Sequence, residues 1–166
     1  MPALEVDDLS ITYGTIRAVD GVSFSADAGR VLALLGPNGA GKTSTVEALE
    51  GYRRPTSGQV RVLGLDPVGN HAAVTPRIGV MLQDGGVYPG IRPLEMLRLL
   101  ADLYPHADDP EVLLERVGLT HRRRSTWRHL SGGEQQRLSL ALALIGHPTW
   151  CSSTSRPPGW TCRAVS

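Results

Sequence analysis

Residues 36–44 read Gly-Pro-Asn-Gly-Ala-Gly-Lys-Thr-Ser, and Lys42 within them is the only lysine beside sixteen arginines. The chain meets every other need for positive charge with guanidinium; here it keeps a compact ammonium on a flexible stem. The spacing G-x-x-x-x-G-K-[ST] describes a loop whose glycines turn backbone N–H groups inward onto phosphate oxygens. Its lysine reaches the terminal phosphates, and the hydroxyl of Thr43 is placed for Mg²⁺. The flanks agree with that reading. Arg30 to Leu35 is a short apolar run of the kind that forms a strand buried on both faces. Thr45 to Glu50 is helix-forming and stops at Gly51. Strand, glycine loop and helix in that order put phosphate at a helix N-terminus and predict nucleoside triphosphate binding.

The 166 residues suit one domain with a real core. A net charge of +1 argues against nucleic acid as a bulk electrostatic partner. No apolar stretch approaches the roughly 18 residues of a membrane span, and the N-terminus lacks signal-peptide architecture, so a cytoplasmic protein is expected.

Strands are predicted over Leu4–Tyr13, Ala18–Ser25 (with a turn or bulge at Asp20-Gly21), Gln59–Leu63 and Arg77–Gln83. Leu94, Leu97, Leu99, Leu100 and Leu103 recur at helical spacing after Pro93, and Asp109-Pro110-Glu111 opens a second helix that Gly118 closes. The run Arg122-Arg123-Arg124 reads as a solvated loop surface. Ser131 and Glu134 have the S-x-x-E spacing of a capping box, and the helix beyond them is nearly all apolar, hence buried. Two glycines in its first turn, Gly132 and Gly133, cost helix stability. They suit a place where something must approach the backbone closely.

With the phosphate loop, Gln83 at a strand end and Leu130-Ser-Gly-Gly-Glu-Gln-Gln-Arg137 in that order, residues 3 to about 148 resemble the nucleotide-binding domain of ABC transporters. The segments Glu50–Gly58 and Gly86–Glu95 are similar to the ATP-binding subunits of drug, antibiotic or lipid exporters, whose permease is a separate chain. The resemblance implies an α/β P-loop NTPase with a small antiparallel β subdomain, a mainly parallel core sheet and a helical signature subdomain over about 84–131, its C-terminal core missing. It implies that Tyr13 stacks on adenine and that Gly36, Pro37, Asn38, Gly39, Ala40, Gly41, Lys42, Thr43 and Ser44 hold the phosphates of ATP. Thr43 and Gln83 would attend Mg²⁺. Ser131, Gly132, Gly133 and Glu134 form a signature that completes the site of an opposing subunit in a head-to-tail dimer. The implied setting is the inner face of the plasma membrane, beside an integral-membrane permease and without nucleic acid. A soluble family member acting on DNA or ribosomes is disfavoured by length, weak charge and the segment from Gly86.

After Glu134 the resemblance breaks. The family pattern requires an apolar strand ending in Asp-Glu, a Leu-Asp loop and a histidine on the γ-phosphate. No Asp or Glu follows Glu134, and all five histidines precede the position required. The residues from Trp150 read Trp-Cys-Ser-Ser-Thr-Ser-Arg-Pro-Pro-Gly-Trp-Thr-Cys. Regrouping their codons to begin one base earlier forces valine from Trp150-Cys151 and aspartate from Trp160-Thr161. Between them it permits Phe-Leu-Asp-Glu-Pro-Thr-Ala-Gly-Leu, the missing passage. The expectation is that residues 150–166 are an out-of-frame, disordered tail produced by loss of one base near codon 149 and an early stop. The chain then reads as the ATP-binding subunit of an exporter, of a kind that couples ATP binding and hydrolysis to a separate permease, with hydrolysis lost as written. The alternative is a non-hydrolysing nucleotide-binding fragment from a frameshifted gene or a sequencing artefact.

Overall fold

The computed structural model describes residues 2–81 and 87–153. The chain separates into two compact units that divide after Thr75.

The first unit is built on an antiparallel sheet in the order β2-β1-β3, formed by β1 (Pro2–Tyr13), β2 (Ile16–Asp27) and β3 (Ser57–Val62). In β1 the buried positions are Leu4 and Val6, then Leu9 and Ile11. That change of parity requires an extra residue. The register shifts between Val6 and Leu9, and Asp8 takes a positive φ of 47° there. A second shift lies between the pairs Leu9–Val22 and Ile11–Val19, at the predicted Asp20-Gly21 irregularity. Helix α1 (Lys42–Leu49) packs against β2 and β3 with Thr45, Ala48 and Leu49 buried, and the four-residue α2 (His71–Val74) follows β3.

In the second unit β4 (Ile78–Met81) pairs in parallel with β5 (Trp150–Ser153), Ile78 opposite Trp150 and Met81 opposite Ser153. Helices α3 (Pro93–Ala101), α4 (Pro110–Arg116) and α5 (Gly132–Leu144) share one core of Leu94, Leu97, Leu113, Leu114, Leu119, Leu138, Ala141 and Ile145. Each helix start carries the chemistry its sequence announces. Glu95 accepts from the backbone N–H of Arg92 (3.1 Å), and Asp109 accepts from Glu111 N–H (2.7 Å).

Three expectations need correction. Residues 31–37 carry no strand; Val31 is 63% and Leu35 80% exposed. A strand apolar on both faces forms only between sheet neighbours, and among the described residues none pairs with this run. The tail expected to be disordered from residue 150 begins instead with β5. Backbone pairing to β4 asks little of side-chain identity, and Gly79 leaves room that a Cβ would take from Cys151 and Pro148. Residues 154–166 lie outside the described residues. Finally, the arginine run is more than a solvated surface: Arg122 and Arg123 each hold a carboxylate of a neighbouring helix.

Candidate functional site

In the first unit the phosphate loop leads into α1 through Gly41, whose φ is 76°. A Cβ at Gly41 would run into the carbonyl oxygen of Ala18 and the side chain of Val19, so glycine is required by both conformation and packing. α1 then begins with no side-chain cap and no acidic residue in its first turn. Its leading N–H groups, which a helix cannot satisfy internally, therefore face outward with the positive end of the helix dipole. Lys42 curls back over the loop: its Nζ donates to the carbonyl oxygens of Gly36 (2.8 Å) and Pro37 (2.6 Å). Thr43 is exposed, whereas Thr45 is buried and its hydroxyl donates to Gly41 O (2.9 Å). Gly36, Pro37, Asn38, Gly39 and Ala40 are all exposed, with a single turn bond from Ala40 N–H to Pro37 O. An ammonium, backbone donors without a partner among the described residues and nothing acidic in the first turn make this loop a candidate phosphate cradle.

Ser44 does not face the loop alone. Its hydroxyl shares a 3.0 Å hydrogen bond with the phenol of Tyr13, tying the end of β1 to α1. The Arg53 guanidinium lies over the Tyr13 ring, 4.4 Å from its centroid, and is held there by Glu47 (2.9 Å). One face of the ring is thus covered by a cation, and Tyr13 as a whole is 39% exposed. The sequence reading missed Arg53. Forty residues separate it from Tyr13, and no spacing rule links a strand end to the turn after a helix.

In the second unit Ser131 caps α5 through both halves of the expected box. Glu134 N–H donates to Ser131 Oγ (3.3 Å) and the Glu134 carboxylate accepts from Ser131 N–H (2.8 Å). A Cβ on Gly132 or Gly133 would meet nothing within 4 Å. Packing among the described residues therefore does not demand glycine at either position, and both residues are exposed. The Glu134 side chain is only 8% exposed and receives Arg122 Nε at 2.7 Å, with His121 Nε2 at 3.4 Å. The Arg122 bond, followed by that from the Ser131 backbone, holds the carboxyl at a pKa of about 2, down from 4.5. Arg122 also escaped the sequence reading, which saw its charge but not its partner. Gln83 lies outside the described residues.

A phosphate cradle on one unit and a glycine-led helix start on the other define an ATP-binding-cassette type of NTPase fold. The family model described as "ABC transporter" matches residues 19–151. The chain belongs to the ABC transporter family. Among curated proteins it is 37% identical over 154 residues to the daunorubicin resistance ATP-binding protein DrrA3 of Streptomyces coeruleorubidus, covering 88% of this chain and 48% of that protein. It is 33% identical over 147 residues to the bacitracin transport ATP-binding protein BcrA of Bacillus licheniformis, covering 87% and 48%. A solved structure of an ATP-binding subunit of an ABC transporter superposes with a TM-score of 0.78 at 27% identity, over 91% of this chain and 65% of that one. The chain spans about half the length of the curated relatives it matches.

Proposed function

We propose that this chain is the phosphate-binding and signature portion of an exporter's ATP-binding subunit, coupled to a separate membrane permease. The observation that carries the reading is the Lys42 ammonium held over an uncapped, acid-free helix start by Gly36 O and Pro37 O. ATP supplies the carbonyls' replacement: its β- and γ-phosphates would draw Lys42 off the loop, with the N–H groups of residues 39–44 around them and Thr43 toward Mg²⁺. Tyr13 would take adenine on the face that Arg53 leaves open, and Gln83 would attend the metal. The N–H groups of Gly132 and Gly133, in the turn closed by the Ser131–Glu134 capping box, suit the phosphate of a second subunit in a head-to-tail dimer. Relatives named for daunorubicin resistance and bacitracin transport support a drug or antibiotic as cargo. Work at the cytoplasmic face of a membrane follows from a permease partner.

The test is nucleotide titration of the purified chain with a fluorescent ATP analogue. Lys42→Ala should weaken binding by about tenfold or more, the scale of a lost charge-assisted contact. Equal affinity in the variant would overturn the reading.

A second reading, a fragment that binds nucleotide without hydrolysing it, is favoured by β5. Ser152 is 7% exposed in a parallel strand, a slot that ordinarily takes valine or isoleucine. The codon regrouping supplies an aliphatic residue or Phe from Ser152-Ser153 and carboxylates directly after the strand. Without those carboxylates a general-base contribution of roughly 10²- to 10⁴-fold is absent. Resequencing the gene around codon 149 decides it: one unbroken frame with no alternative encoding an apolar strand and Asp-Glu rules the frameshift out.

A further inference from the structure

The head of α5 carries a contradiction. An anion is expected at the N–H groups of Gly132 and Gly133, yet Glu134, one residue on, places its own carboxylate in the same turn. That carboxylate is only 8% exposed and is tied in place by Arg122 and the Ser131 N–H. Among the described residues it is faced by Arg122 Nε at 2.7 Å and His121 Nε2 at 3.4 Å from the segment before α5, and by the Ser131 backbone N–H at 2.8 Å and the Ser131 hydroxyl from the cap itself. Of these only Arg122 brings a permanent charge at hydrogen-bond distance.

We propose that Arg122 is a positioning residue for the signature turn, cancelling the charge of Glu134 so that the turn accepts a phosphate from a second copy of this chain. The inference rests on the signature reading given above. Glutamine at position 134 would close the same capping box without the charge. A glutamate there therefore needs a cation, and Arg122 supplies it. The neighbouring Arg123, paired with Glu111 on α4 at 3.0 Å, anchors the same loop to the helical core and keeps Arg122 in register.

The test is ATP-driven association of the full chain followed by sedimentation velocity in the presence of Mg²⁺, with fluorescent-nucleotide binding measured alongside. Arg122→Ala should require about tenfold more protein to half-associate, while Arg122→Ala combined with Glu134→Gln should return to within about twofold of the parent. That rescue separates charge cancellation from scaffolding, because a lost anchor is not restored by removing its partner. Should Arg122→Ala fail to fold, Arg122→Gln carries the same comparison. An unimpaired Arg122→Ala, or a double variant as impaired as the single, would overturn the proposal. A parent chain that binds nucleotide but does not associate with ATP overturns it too, and leaves the Lys42 reading standing. A parent that binds no nucleotide removes both.

Discussion

Glu134 shows how one residue's charge state becomes a property of the protein. Its carboxyl ordinarily titrates near 4.5 and in the folded chain near 2, because Arg122 and the Ser131 N–H bind the ionised form. A depressed pKa stabilises the fold above the ordinary value, and the contribution fades as pH falls from about 4.5 toward 2. Glu134→Gln should accordingly flatten the acid limb of the thermal-unfolding midpoint across that window, measured by circular dichroism. Parallel curves for the two proteins would show that the pair contributes nothing. The glycine spacing around Lys42 singles it out at this scale, and its ammonium lies over the loop on Gly36 O and Pro37 O. Arg53 and Arg122 were not. Their partners, Tyr13 and Glu134, sit at separations set by the turn after α1 and by the packing of α5.

Among the elements, those with local instructions formed where the sequence placed them. α4 is the cleanest case: Asp109 caps it, Pro110 opens it and Gly118, at a φ of 68°, lies just beyond its end. Asp109→Ala removes the acceptor for Glu111 and Val112 N–H and should cost about 1 kcal/mol in chemical denaturation. No change in the denaturation midpoint would mean that water caps the helix equally well. The apolar run before the phosphate loop lacks such instructions. Its hydrophobicity announces a doubly buried strand, but a strand is a relation between segments, and this one has no described neighbour. Conversely, Trp150–Ser153 has little strand chemistry and pairs anyway, because β4 offers it an open parallel edge.

At the scale of the whole molecule, the exposed apolar run is expected to govern colloidal behaviour. Val31, Leu32 and Leu35 stand open to solvent on a segment without ladder partners among the described residues, the arrangement that invites intermolecular pairing. Leu35→Arg should lower concentration-dependent scattering while leaving the thermal midpoint unchanged; unchanged scattering would mean that association arises elsewhere. The family was readable from two short glycine-containing stretches, because phosphate binding by backbone N–H groups, the chemistry proposed for them, demands a fixed local order of loop and helix. Which segments pair, which cation neutralises Glu134 and which cation covers Tyr13 are outcomes of packing between residues far apart in the chain. Local sequence specifies conformation over a turn or two; contact between distant side chains depends on how the elements are brought together, and only the tertiary structure decided that.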